Sequence, residues 1–152
     1  MARLRGTYEG SVDAKGRLSI PAKYRKLLPE ELVIAKHPDK DLPGLVVYPE
    51  EDFDSWFDSV LESKGGAKAN SSLQSKLLEE LYMDSQEASP DGIGRITIQS
   101  FLRKYAGIER DVVITGVRDH LVIRAPEVVE KVRESFASNT IYDDDAASDT
   151  TE

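Results

Sequence analysis

The chain has 152 residues, 39% hydrophobic and 32% charged, with a formal net charge of −8 and no cysteine. This is the balance of a globular chain, and it excludes disulfides, thiolate metal sites and a cysteine nucleophile. No apolar run approaches the ~18 residues of a membrane span.

The opening MARLRGTYEG is basic but leads into no apolar stretch, so it does not read as a secretory signal, and a cytoplasmic location is expected. Tyr8 to Val12 reads as a short extended segment entering a tight turn at Lys15-Gly16, where glycine permits positive φ. Leu18 and Ile20 alternate as in a strand. Pro21 suits the first position of a short helix, with Leu27 and Leu28 at its buried end. Strands at 31–36 and 45–48 follow, joined by the turn-forming DKDLPG. EEDFDSWFDSVLESK then sets Phe53, Trp56, Phe57, Val60 and Leu61 on one helical face, a spacing that favours core packing over base stacking. KGGAKANSS at 64–72 breaks that helix. LQSKLLEELYM forms a second, with Leu73, Leu77, Leu78 and Leu81 in register.

The order then recurs. DAKGRLSI at 13–20 returns as DGIGRITI at 91–98, displaced by 78 residues. The same offset pairs Tyr24-Arg25-Lys26 with Leu102-Arg103-Lys104. VIA at 33–35 echoes VIT at 113–115, and LVVYP at 45–49 echoes LVIRAP at 121–126. The second copy has an extended segment at Glu87 to Pro90, a turn at Gly92 to Gly94, a strand with Ile96 and Ile98, and strands 111–115 and 121–124 joined by GVRDH. The expected divisions are a first unit at 7–53, a helical connector at 54–83, a second unit at 84–127, a helix at 128–137 and a disordered acidic tail at 138–152. A unit of some 45 residues with four short strands hardly buries a core alone. The two copies are therefore expected to fold together about a pseudo-two-fold axis into a mainly β protein with flanking helices. Residues 1–60 alone should not fold. Which strands pair is left open.

Charge is uneven. Residues 1–28 carry Arg3, Arg5, Lys15, Arg17, Lys23, Arg25 and Lys26 against Glu9 and Asp13, a net +5; residues 143–152 carry −5. A chain of net −8 repels phosphate as a whole, but the local field decides. Asp13 and Arg17 flank one Gly turn, as Asp91 and Arg95 flank the other. Asp13 with Gly16, and Asp91 with Gly94, read as structural loop residues, the carboxylate accepting backbone N–H groups. Arg17 and Arg95 read equally as clasps for those carboxylates or as DNA contacts. Lys15 stands at the first turn tip, where the second copy has Ile93. With Arg3 and Arg5 upstream it could form a phosphate-binding edge. KYRK at 23–26 reads mainly as a solvated helix face. His37 and His120 lie in different units without zinc spacing, and no phosphate-binding glycine loop occurs, so no enzyme activity, metal, cofactor or small-molecule substrate is expected.

GTYEGSVDAKGRLSIPAKYRKLL, VVYPEEDFDSWFDSV and DGIGRITIQSFLRKYAGIERDVVITGVRDHLVIR together resemble the MraZ family of bacterial transcriptional regulators, within the AbrB-like swapped-hairpin proteins, over roughly residues 1–135. The resemblance implies two tandem AbrB-like units forming one pseudo-two-fold β-barrel, and ring-shaped homo-oligomers. It implies binding of double-stranded DNA at short direct repeats near the promoter of the division and cell-wall gene cluster, with a place at the nucleoid. Lys15, Arg17 and Arg95 fall on the family's DNA-facing positions. The alternative is a structural or protein-interaction ring without DNA. Gln99 stands where the family has proline, and the tail lies outside the shared pattern.

Overall fold

A computed structural model describes residues 3–63 and 71–139. In chain order the elements are β1 (Leu4–Ser11), β2 (Arg17–Ser19), α1 (Ala22–Arg25), β3 (Leu32–Lys36), β4 (Leu45–Pro49) and α2 (Glu50–Ser63). There follow α3 (Ser71–Met83), β5 (Gln86–Ala88), β6 (Arg95–Thr97), α4 (Ser100–Ala106), β7 (Asp111–Arg118), β8 (His120–Arg124) and α5 (Pro126–Asn139). Six strands form one antiparallel sheet in the order β1-β7-β8-β4-β3-β5, and β2 pairs with β6 in a separate two-stranded ribbon.

That order is the same read from either end, once each first-unit strand is exchanged for its repeat partner. β1 leaves its own unit and pairs with β7 along its whole length, from Leu4↔Arg118 to Ser11↔Asp111. Its counterpart β5 pairs with β3 of the first unit. The pseudo-two-fold axis passes between Val46 and Val122 of β4 and β8, and between Leu18 and Ile96 of the ribbon. The units are thus interleaved, each lending an outer strand to the other.

Among the described residues the sheet is not closed into a barrel. β1 and β5 are the free ends of the six-stranded order, and β2 and β6 bond to each other instead of bridging those ends. The isolated bridge Val12↔Leu18 ties the ribbon to one sheet edge, and Gln86 Nε2 of β5 donates to the Thr97 carbonyl of β6 at 2.9 Å at the other. β5 is also brief, three residues against eight in β1. It starts close behind α3, and Pro90, which lacks an amide donor, follows soon after it.

Strand periodicity distributes the core over two faces. Leu32, Ile34, Leu45, Val47, Leu121 and Ile123 point one way and meet Leu18, Ile20, Ile96 and Ile98 of the ribbon, with Tyr24 of α1 and Leu102 of α4. Val33, Ala35, Val46, Tyr48 and Val122 point the other way, onto Phe53 of α2, with Trp56 partly buried beside them. Trp56 stacks on Tyr48, ring centroids 5.2 Å apart, so these aromatics pack the core as their helical spacing predicts. Each fully buried Leu or Ile contributes about 1.5–3 kcal/mol. Acidic Glu50, Glu51 and Asp52 occupy the first turn of α2, where the helix dipole favours them.

Several local details differ from expectation. Pro21 caps α1 from outside, at φ −53° and ψ 140°, and the helix begins at Ala22. Leu27 is 37% exposed, and Leu28 alone of that pair packs on the core. The helix after β8 runs to Asn139, past Ser138 where periodicity fades. The rest of the expected tail, and residues 64–70 of the expected helix break, lie outside the described residues. Arg118 takes φ 63° in the two-residue turn joining β7 to β8, the left-handed geometry such hairpins require. No helix among the described residues is long and apolar enough to cross a membrane.

Tyr24 fastens the swapped strand. It is fully buried, and its hydroxyl donates to the carbonyls of Gly6 at 2.7 Å and Arg5 at 3.0 Å, both on β1. Tyr24→Phe should destabilise by about 1–2 kcal/mol, because the hydroxyl is lost and the carbonyls remain. Urea melts should show a lower midpoint with an unchanged slope.

Candidate nucleic-acid interface

Two loops flank the ribbon, and each is built around an aspartate. In the first, Asp13 Oδ1 accepts from the amides of Lys15 at 3.0 Å and Arg17 at 2.9 Å. Its Oδ2 accepts from Arg17 Nε at 2.7 Å. The Gly16 amide closes the turn onto the Asp13 carbonyl at 2.9 Å. In the second, Asp91 makes the same bonds to the amides of Ile93 (3.1 Å) and Arg95 (2.9 Å) and to Arg95 Nε (2.8 Å). The repeated Asp-x-x-Gly-Arg spacing is therefore one loop made twice. Gly16 and Gly94 hold φ +84° and +83°, which a β-carbon would strain.

Each loop is also held by the opposite unit. The Ile98 amide donates to the Gly16 carbonyl at 2.8 Å, and the Ile20 amide to that of Gly94 at 2.9 Å. Arg103 of α4 lies over Gly16, with Nε donating to the Ile98 carbonyl at 2.9 Å. Arg25 of α1 lies over Gly94, where a β-carbon would overlap its side chain. Arg25 belongs to a run that reads from sequence as solvated helix face, yet it packs on the opposite loop, as Arg103 does. Their common offset of 78 was the available signal. At Gln99 the backbone keeps a proline-like φ of −63°, and its amide donates to Gln86 Oε1 at 2.7 Å, a bond proline could not make.

The ribbon register is Arg17↔Thr97, Leu18↔Ile96 and Ser19↔Arg95. Leu18 and Ile96 point into the core. The outer face is left with Arg17, Ser19, Arg95 and Thr97, two guanidinium groups and two hydroxyls related by the pseudo-axis. The Arg17 and Arg95 side chains stay 34% and 30% exposed. Among the described residues the recorded bond of each guanidinium is made by Nε, which leaves its two terminal nitrogens available on a partly exposed side chain. Clasp and ligand contact are compatible on one side chain, since a bidentate acceptor can be met by the two terminal nitrogens. Residues 13–26 carry net +4 and residues 91–104 net +2, so this face is basic on an acidic chain.

Not every expected residue comes here. Lys15 is exposed at the first loop tip. About 20 Å of extended strand separates Arg5 from Ser11, where β1 ends. Arg5 registers with Val117 at the far end of β7. Arg3 lines a groove of about 810 Å³ with Tyr48, Trp56, Val117, Arg118 and His120. Arg3 and Arg5 thus stand apart from the Lys15 loop of their own subunit. No three His, Cys, Asp or Glu side chains cluster as a metal requires among the described residues.

Both carboxyls are held below their ordinary range, chiefly by the amide of the arginine four residues on, with its guanidinium adding to the effect. A lowered folded pKa contributes stability above the ordinary value of 3.8, and loses it as pH falls through the lowered one. The loops should therefore stay closed at neutral pH and open only in acid. Carbon-detected NMR titration should place Asp13 and Asp91 below the ordinary value of 3.8, with the Arg17 amide shifting at the Asp13 midpoint. An Arg17 amide indifferent to that titration would break the assignment.

Two interleaved hairpin units, each presenting an aspartate-clasped arginine beside a shared ribbon, define a pseudo-dimeric swapped-hairpin protein. The family profile described as "MraZ protein, putative antitoxin-like" matches residues 4–74 and again 81–150, one match to each unit. The chain belongs to the MraZ family. The second match runs past residue 135, where the likeness read from the sequence stops, and takes in most of the acidic tail. A Geobacter sulfurreducens protein named Transcriptional regulator MraZ is 32% identical over 140 residues, covering 85% of this chain and 87% of that protein. The Mycolicibacterium gilvum protein of the same name is 33% identical, over 88% of this chain and 89% of its own length. That of Nocardia farcinica is 37% identical over 78% of each.

Proposed function

We propose that this chain is a transcriptional regulator that binds double-stranded DNA sequence-specifically, with the β2–β6 ribbon and its two loops as the reading surface. The outer ribbon face carries the proposal: two clasped guanidinium groups keep their terminal nitrogens available on the basic side of an acidic protein. A two-stranded ribbon fits the major groove, where arginine meets guanine O6 and N7 in a bidentate pair. Lys15 supplies a phosphate contact without sequence preference. The relatives' shared name supports the regulatory role.

The finer reading has the chain assemble as a ring-shaped homo-oligomer, at the nucleoid in the cytoplasm. It acts on short direct repeats near the promoter of the division and cell-wall gene cluster. A ring repeats the basic face once per subunit, so weak contacts multiply through effective concentration. The groove at Tyr48, Trp56 and Val117 offers apolar surface for contact between copies. In an assembly Arg3 and Arg5 would meet DNA only where a neighbour brings them to it. The same groove favours a second reading, a protein-interaction ring without DNA, which the net charge of −8 also fits. Titrating selected and scrambled duplexes at several salt concentrations decides between them. A regulator should prefer the selected duplex at physiological salt, with affinity falling steeply as salt rises. Equal and negligible binding to both would favour the second reading.

A further inference from the structure

We propose that Ile93 reads the C5-methyl group of a thymine, so that the two loops of one subunit read unlike half-sites and the protein binds DNA in a fixed direction. This rests on the DNA-binding reading above and adds to it one residue and one base.

The two loops make the same aspartate-centred hydrogen bonds and differ at the tip, Ala14-Lys15 in one and Gly92-Ile93 in the other. Each tip amide donates to the aspartate Oδ1, at 3.0 Å in Lys15 and 3.1 Å in Ile93, and each arginine Nε is clasped at 2.7 or 2.8 Å. At equivalent points one loop offers an ammonium and the other a branched alkyl group. Ile93 is 64% exposed and belongs to neither apolar cluster of the core. Gly92 beside it has open space where a side chain would be. Isolated exposed apolar residues are common, and most need no explanation. This one sits two residues from Arg95, at a turn tip where polar residues are the usual choice. Its amide is pinned, and β-branching restricts χ1, so little freedom is lost when it meets a surface.

An alkyl group cannot donate to phosphate or to a base edge. Within the major groove its one apolar counterpart is the methyl of thymine. Covering that methyl should strengthen binding about three- to fivefold for each engaged loop. At Lys15 the same place contacts phosphate, which is blind to sequence. A pseudo-symmetric protein thereby reads an asymmetric site.

The test uses the full chain and a duplex selected from random-sequence DNA, with each thymine replaced in turn by deoxyuridine, which pairs identically but lacks the methyl. At one or more positions the replacement should weaken wild-type binding about three- to fivefold. Ile93→Ala should bind the thymine and uracil duplexes alike. Lys15→Ala should keep the thymine preference. Ile93→Lys should lose that preference and steepen the salt dependence by about one unit per engaged loop. If the wild type binds every uracil duplex as tightly as its parent, or if Ile93→Ala keeps the preference, methyl reading is overturned while DNA binding stands. If no sequence is selected at all, both readings fall together.

Discussion

Residues 1–83 and 84–152, produced as separate chains, are each expected to be unfolded as monomers and to regain the fold when mixed. Among the described residues, four of the six strand ladders join one half to the other: β1 with β7, β2 with β6, β3 with β5 and β4 with β8. Each half keeps a single hairpin, β3–β4 or β7–β8. An isolated hairpin is marginal in water, and here its apolar faces would lie bare. Leu18 and Ile20 would lose Ile96 and Ile98, with which they share one cluster. Losing several such contacts, each worth about 1.5–3 kcal/mol, exceeds the 5–15 kcal/mol stability of an ordinary domain. Because the halves repeat one another, either could fold by pairing with a second copy of itself. The melting midpoint of such a species must rise with concentration. Circular dichroism and NMR of each half over a dilution series, then of the mixture, make the check. A half that melts cooperatively at a midpoint independent of concentration would show that the units are not interdependent.

The second large effect is on DNA. Lys15→Ala should weaken binding to all sequences and lower the salt slope by about one unit per engaged loop. Arg17→Ala should cost about 1–3 kcal/mol per engaged loop and also blur the preferred sequence. The fold should survive, since the clasp to Asp13 is an exposed ion pair and such pairs contribute little to stability. Arg17→Lys separates the two roles, keeping the charge while losing the planar fork, so salt dependence should persist as discrimination falls. The readout is a titration on selected and scrambled duplexes, after each variant is shown to be folded and assembled like wild type. A folded Lys15→Ala, Arg17→Ala double variant that binds as wild type does would move the interface away from these loops.

The sequence revealed most of the parts and little of their pairing. The 78-residue offset marks both loops, because Asp13, Gly16 and Arg17 act within five residues of one another and local chemistry is written locally. Strand pairing is different. VIA at 33–35 and VIT at 113–115 offer nearly the same pattern, so alternation alone cannot say whether β1 joins β3 or β7. The contacts of Arg25 with Gly94 and of Arg103 with Gly16 span more than 65 positions and follow only from that choice. The barrel is an expectation from likeness alone, and likeness carries no information on a strand as short as β5. Nearness in sequence suggests one edge for Arg3, Arg5 and Lys15, and it is a poor guide when the extended strand β1 lies between them.

The exchange of outer strands has a consequence for dilution and for descent. Were the units separate molecules, the ribbon would exist only above their dissociation constant, and every substitution would appear twice in the resulting homodimer. Joined in one chain, the halves meet intramolecularly, so the paired loops assemble however scarce the protein is. Joined also means free to diverge: a change at position 93 leaves position 15 untouched, and lysine can face isoleucine across an axis that would otherwise force them to be alike.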